Sequence, residues 1–427
     1  MIENVSDYNV IVIGGGPAGL FAAGVAAEHG ATVLLLEKKP RCGAKLLITG
    51  KGRCNITYDE EDPRRFCEHF GKQGKTLLTA LYSFGVAPTV DFFEERGLPL
   101  QRERGGRIFP ARGGSASEVL KLLLKYAQQA GVEIRTSCPV SSLQSDGGRI
   151  DAVETALGTF CADTVIVATG GLSYPQTGCS GDGYRWATTS GHRLTPPQPA
   201  LVPLQLDADW AQDLLNLNLK NVHITACHDN KPIAERFGEA FFTRNGIGGP
   251  IVLDMSAQVR DALEQGPVEL QLDLKPAVSV ELFDQRLQRE LAAHSNKNFS
   301  NALSGLLPQL LIPLFVSLSA IPADKKCHSL TREERLRLGN LFKNWRFQVT
   351  GLDTPERAII TSGGVSLADI DMRTMRSKIV DNLYFVGEMI DLDGPTGGFN
   401  LQLCWSTGYL AGLNAASAVK KPLKKSG

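Results

Sequence analysis

Tyr8-Asn9-Val10-Ile11-Val12-Ile13-Gly14-Gly15-Gly16-Pro17-Ala18-Gly19 is the stretch whose reading decides the fold. Its first six residues are mostly apolar and β-branched, the pattern of a strand buried on both faces of a parallel sheet. The chain must then turn sharply. Gly14 permits the turn, Gly16 lets the backbone approach a pyrophosphate, and Gly19 lets the next helix pack on the strand. Pro17 falls in the first helical turn, where a missing N–H costs little. Residues 18–29 are small and apolar enough for a helix against a sheet, and Gly30 suits its C-terminal cap. A second buried run, 32–36, ends in Glu37, near the ~20-residue offset at which a carboxylate accepts from a ribose hydroxyl. Strand, turn, helix, second strand and terminal acid agree, so the stretch predicts an adenine dinucleotide rather than a ligand-free glycine turn. Glu37 would repel a 2′-phosphate, which argues against NADP in this position.

Working outward, 427 residues exceed one ordinary core and imply two or three domains. Hydrophobic residues at 43% and charged residues at 21% are the balance of a soluble globular protein. Lys plus Arg and Asp plus Glu each number 45, so no global field recruits nucleic acid or an acidic membrane surface. A small-molecule substrate is the expected partner. Residues 1–13 lack the cationic start and cleavage site of a secretion signal, which makes the cytoplasm the expected compartment. The nine cysteines include no C-x-x-C pair, so neither a disulfide framework nor a zinc site is indicated. His223, Cys227 and His228 lie close in sequence, but a metal needs more ligands, and packing is their expected role. The apolar stretch 303–318 holds Pro308 and Pro313 and falls short of the ~20 residues that cross a bilayer. The basic tail 421–427 reads as a solvated end.

After Glu37 comes a loop dense in glycine and cations: Lys38, Lys39, Arg41, Gly43, Lys45, then Thr49-Gly50-Lys51-Gly52-Arg53-Cys54-Asn55. Loops this long are usually functional, and these backbone N–H groups and cations suit a diphosphate and a ring carbonyl. Residues 73–96 read as two short helices, with Pro88 opening the second. Arg102, Arg104, Arg107 and Arg112 gather among glycines, either as an anion-binding rim or as a surface charge cluster. Ser115 with Glu118 forms a capping box for a helix to about Ala130, followed by a strand at 132–135. Strand character returns around Val140, with Asp146-Gly147-Gly148 as a turn.

Thr164-Val165-Ile166-Val167-Ala168-Thr169-Gly170-Gly171 is a buried strand ending where glycine lets the chain pass close to a flat ligand. Four prolines between Pro196 and Pro203 cannot continue a helix or a central strand, and they mark a domain boundary. Beyond them the texture is β-like and then helical, with a capping box of Thr331 and Glu334 opening a helix to Trp345. The chain returns to the first domain near Phe347. Asn382-Leu383-Tyr384-Phe385-Val386-Gly387-Glu388 is a further buried strand, and Gly397-Gly398 opens a last helix. Its N–H groups and positive dipole end suit a phosphate or the pyrimidine edge of a reduced flavin.

The sequence resembles the BaiN-like, aminoacetone-oxidase-type family of FAD-binding flavoproteins. The resemblance rests on Gly14 to Gly19, Leu47-Ile48-Thr49-Gly50-Lys51-Gly52-Arg53-Cys54-Asn55, Ala168-Thr169-Gly170-Gly171 followed by Ser173-Tyr174-Pro175, and the block from Gly387 and Glu388 to Gln402. It implies an α/β fold with a Rossmann-like FAD-binding domain of the two-dinucleotide-binding type, split into 1–195 and 346–420. Between them it implies a substrate-side insertion, 196–345, β-rich over 204–275 and helical over 279–345. Carried over by position, Gly14, Gly16, Pro17, Ala18, Gly19 and Glu37 would hold the ADP half, and Lys38 and Val140 are further cofactor-binding candidates. Lys45, Thr49, Gly50, Gly52, Arg53, Cys54 and Asn55 would hold the middle of FAD, with Thr169 and Gly170 nearby. Gly387, Glu388, Gly397, Gly398, Phe399, Asn400 and Leu401 would hold the ribityl and ring end. Glu388 stands where many wider relatives have Asp.

The expected activity is that of an FAD-dependent oxidoreductase working by hydride transfer at flavin N5 on a small molecule. The resemblance suggests either amine-oxidase-like chemistry or reduction of a conjugated C=C bond. Only one full dinucleotide fingerprint is present, so NAD(P)H would visit the flavin transiently as electron donor. Tyr174, directly after the Ala-Thr-Gly-Gly turn, is the candidate catalytic proton donor. Cys54 has no partner cysteine nearby for thiol redox chemistry. The alternative reading is a flavin-containing binding or RNA-modification factor without small-molecule turnover.

Overall fold

A computed structural model describes residues 7–419 apart from Arg104, Arg112, Gly147 and Asn216. Two members of the arginine cluster, the middle of the Asp146 turn and the 421–427 tail therefore lie outside the described residues.

The apolar run at the amino end forms β1 (Tyr8–Ile13), and residues 10–13 within it are buried. It leads into α1 (Pro17–Glu28), then β2 (Val33–Leu36), fully buried. The Ser115–Glu118 capping box opens α2 (Ala116–Gln129), which is followed by β3 (Glu133–Arg135). β4 (Ala162–Val167) and β5 (Leu383–Phe385) complete a parallel set in the order β5-β4-β1-β2-β3. Two short antiparallel strands, Ile370–Asp371 and Arg376–Ser377, extend the β5 edge. This is a Rossmann sheet. Its order reverses between β1 and β4, and a ligand crevice opens at the carboxyl ends of strands at such a switch point.

The carboxyl-terminal helix, α3 (Phe399–Ser417), lies along α1. A Cβ on Gly408 would stand 2.8 Å from the Ala18 carbonyl oxygen, and one on Gly412 would stand 2.5 Å from that of Ala22. The absent side chains let the two backbones approach and bury α1 on nearly all sides. Phe21 of α1 packs edge-on against Trp405 of α3, with ring centroids 5.9 Å apart. Tyr126 of α2 donates to Glu28 at the end of α1 (2.7 Å).

These elements belong to one compact unit, 1–199 with 359–427; residues 200–358 form a second. The second unit is built on a closed six-stranded barrel of Leu204–Leu206, Gly246–Gly248, Lys231–Thr243, Asn218–His228, Val268–Asp273 and Trp345–Leu352. Entry and exit are neighbours: Leu204 pairs with Leu352, and the Asp353 N–H donates to the Pro203 carbonyl (2.8 Å). Helices Val280–Ala293, Ile312–Ser319 and Arg332–Lys343 are among those that belong to this unit. The apolar stretch 303–318 is broken by its prolines into short helices, and among the described residues no single helix is long and apolar enough to cross a membrane.

The chain is extended at the first junction and returns late at the second. The proline-rich segment is a strand, Leu194–Ala200, paired among the described residues only with Ile360–Val365. Each strand of a two-stranded ladder keeps one edge open, where a proline without an N–H forfeits nothing. Trp345–Leu352 belongs to the barrel, so the chain rejoins the first unit at Ile359, later than the residue pattern suggests.

Gly412→Ala tests the helix contact. Alanine gains about 1 kcal/mol of helix propensity, but intrusion on backbone that cannot move aside costs about 1–3 kcal/mol. Thermal melting should show a net loss of stability; an unchanged or raised melting temperature would place α3 wrongly.

Candidate functional site

The crevice begins where the turns after β1 and β4 meet. Gly14 holds φ +108°, and a Cβ there would stand 2.5 Å from the Ala168 carbonyl oxygen. A Cβ on Gly19 would run into the Gly14 carbonyl. The protein itself therefore demands glycine at both positions. At Gly16, the N-cap of α1 with Pro17 next, a Cβ would meet nothing within 4 Å. That open space lies at the helix end whose N–H groups and dipole suit a phosphate. Gly387 is close by, since a Cβ on it would stand 2.9 Å from that of Ala18, and its N–H donates to Thr407 of α3 (3.0 Å). Glu37, at the end of β2, accepts from the N–H groups of Gly15 and Lys39, both at 2.7 Å.

Glu388 anchors a polar cluster. Lys45 Nζ donates to it at 2.6 Å, Ser173 Oγ at 3.0 Å and the Thr361 N–H at 2.7 Å. Lys45 also donates to Ser173 (2.7 Å). Burial pulls the Lys45 ammonium toward neutrality, yet the Glu388 carboxylate outweighs this and raises its pKa above the ordinary lysine value. Sequence reading finds Lys45 and Glu388 separately and misses their pairing, together with Ser173 and Thr361. The available signal was Gly171 in the Ala-Thr-Gly-Gly turn, where a side chain would collide with that threonine.

The loop around Gly50 runs through left-handed backbone at Gly50, Lys51, Gly52 and Cys54. Thr49 caps its own turn through Leu46 (2.6 Å). Arg53 pairs with Glu103 and lies 4.2 Å from the centroid of the Phe109 ring. Burial pushes the Cys54 thiol up to about 12, so it stays neutral near pH 7. Asn55 Oδ1 is buried with no hydrogen-bond partner among the described residues. At the start of α3, Gly398 touches the Thr57 backbone, and Phe399 stacks on Tyr58 with centroids 4.5 Å apart. Asn400 turns back onto Gly394 and Pro395, and Leu401 is half-buried.

The remaining candidates are more dispersed. Thr169 lies against Met389 (Oγ1 to Sδ 3.0 Å), and Gly170 precedes the Gly171 contact. Lys38 pairs with Asp182 (2.9 Å). Val140 begins the strand Val140–Asp146 in a separate three-stranded sheet. Half-buried Tyr174 adopts φ +52°, unusual for a residue with a side chain, and its carbonyl accepts from Thr177 N–H (2.8 Å) and Oγ1 (2.7 Å). His228 Nδ1 lies 3.0 Å from the Pro267 carbonyl, and no group of three metal-ligating side chains occurs among the described residues. All nine cysteines are free.

Open space at Gly16, the orphaned Asn55 acceptor and the glycine approaches at Gly14 and Gly398 fit an extended dinucleotide. Fold and site define the class: an FAD-dependent oxidoreductase built on a Rossmann domain. The chain belongs to the HI0933-like family, whose model, described as "HI0933-like protein Rossmann domain", matches residues 8–414. It is similar to the 3-dehydro-bile acid delta(4,6)-reductase of Clostridium scindens, 32% identical over 417 residues covering 95% of this chain and 98% of that protein. It is 30% identical over 408 residues to the ribosomal RNA dihydrouridine synthase of Escherichia coli, covering 94% and 96%. The solved 3-ketosteroid delta1-dehydrogenase from Sterolibacterium denitrificans shares the fold, with TM-score 0.55 at 14% identity over 96% of this chain and 99% of that one.

Two substitutions test the site. Gly16→Val should fold normally, since its side chain meets open space, yet purify without flavin; a fully yellow variant would refute the placement. Glu388→Ala should melt lower than the double variant Lys45→Met with Glu388→Leu, because the single change strands a buried ammonium. The reverse order would show that the pair is not coupled.

Proposed function

We propose that the chain reduces a carbon–carbon double bond conjugated to a carbonyl group of a small molecule, with NAD(P)H as electron donor. The observation that carries this reading is similarity over nearly the whole chain to a delta(4,6)-reductase, together with a crevice suited to a flavin. FAD, when bound, supplies hydride at N5. The substrate's β-carbon takes that hydride and its α-carbon takes a proton, so the double bond is reduced as the nicotinamide is oxidised.

In this reading Gly14, Gly16, Pro17, Ala18, Gly19 and Glu37 hold the ADP half. Lys45 and Glu388 hold the ribityl region as a neutral pair, presenting a cation and a carboxylate at once. Tyr174 is the proton donor. Its left-handed backbone, fixed through Thr177, is the kind of local strain that gathers at working sites and supports that role.

A second reading has a specific observation behind it. The Escherichia coli relative is named for making dihydrouridine in ribosomal RNA, and a uracil ring also holds a C=C bond conjugated to a carbonyl. The zero formal charge of this chain counts against an RNA substrate.

Anaerobic reduction of the flavin by NADH or NADPH, followed by mixing with a 3-oxo-4,6-diene steroid or with unmodified ribosomal RNA, separates the two. Rapid reoxidation by the dienone is expected. Reoxidation by RNA alone would favour the second reading, and inertness toward both would refute the proposal. Tyr174→Phe should leave flavin reduction within about twofold and slow reoxidation by the dienone roughly 10²–10⁴-fold. Equal reoxidation rates would remove Tyr174 from the chemistry.

A further inference from the structure

We propose that Asn55 holds the pyrimidine edge of the flavin ring, its Oδ1 accepting the hydrogen of ring N3. The inference rests on the FAD reading of the crevice and assigns one atom within it. Asn55 Oδ1 is the buried side-chain polar atom that lacks a hydrogen-bond partner among the described residues. A buried acceptor left unpaired is costly, so such an atom points to a donor that the protein does not itself supply.

The position of Asn55 selects the donor. The segment that follows it is laid over the start of α3. The Ile56 carbonyl accepts from Trp405 Nε1 (2.9 Å), Thr57 Oγ1 donates to Gln402 (2.6 Å), and a Cβ on Gly398 would stand 2.5 Å from the Thr57 carbonyl. Because Gly408 lies over Ala18 at the start of α1, the nine residues back to Phe399 carry α3 about 13 Å beyond the phosphate-suited end of α1. A dinucleotide with its pyrophosphate at Gly16 needs a ribityl chain and most of a ring to reach that far. The pyrimidine edge presents two carbonyl oxygens, N1 and one N–H, at N3. The positive end of α3 suits the acceptors. Ring N3–H is then the group that requires an acceptor, and Asn55 Oδ1 is the unpaired acceptor at hand.

Flavin exchange tests the assignment. Apoprotein and the Asn55→Ala variant are each titrated with FAD and with N3-methyl-FAD, which lacks that hydrogen. Wild-type protein should prefer FAD by roughly tenfold, the size of one lost hydrogen bond, and Asn55→Ala should bind both within twofold. A variant that keeps the full preference, or that loses affinity for both flavins equally, would overturn the proposal; the latter would hand Oδ1 to a ribityl hydroxyl. Should Asn55→Ala fail to fold, nitrogen NMR of FAD labelled at N3 replaces it. The N3 signal must move between wild type and the near-isosteric Asn55→Asp, and an unmoved signal would overturn the assignment. Wild-type protein that binds neither flavin would refute the FAD reading itself, an outcome distinct from either of these.

Discussion

The structure depends on one steric meeting, the press of the Gly14 turn against the Ala168 carbonyl where the strand order reverses. No side chain fits between them, so β1 and β4 end level and leave their carboxyl ends open as a crevice. From that contact the rest follows. α1 starts at the crevice floor, Gly408 and Gly412 of α3 let that helix lie against it, and α3 brings the far end of the sequence back beside the near end. The site is thus assembled by close approach of bare backbone, with side chains entering at its margins.

Where charge does enter, it is balanced. Lys45 and Glu388 stand more than three hundred residues apart in sequence and 2.6 Å apart in space. A buried pair of this kind adds little net stability, because removing two ions from water costs about what their attraction returns. Its value is positional: with Ser173 and Thr361 also on the carboxylate, it ties together segments far apart in sequence.

Much of this was legible in the sequence. The first strand, turn and helix follow from local rules of burial and glycine geometry, as do the Ala-Thr-Gly-Gly ending and both capping boxes. Other features resisted because their causes are not local. Prolines at Pro196, Pro197 and Pro199 rule out a helix or a central strand, but the two-stranded ladder they enter depends on a partner, Ile360–Val365, far along the chain. Trp345–Leu352 alternates buried and exposed residues like any strand, and only closure against Leu204–Leu206 assigns it to the barrel. The pairing of Arg53 with Glu103 and its place over Phe109 are likewise set by contacts distant in sequence. The missing partner of Asn55 could not be read from sequence at all, since an absent hydrogen bond becomes visible only when every neighbour is in place.

The barrel's entrance and exit are tied together by the Asp353–Pro203 hydrogen bond and the Leu204–Leu352 pairing. To the Rossmann sheet the whole excursion is therefore equivalent to a short surface loop, because its two ends are already joined. Such a cassette can be lengthened, reshaped or exchanged during evolution while the nucleotide-holding backbone stays untouched.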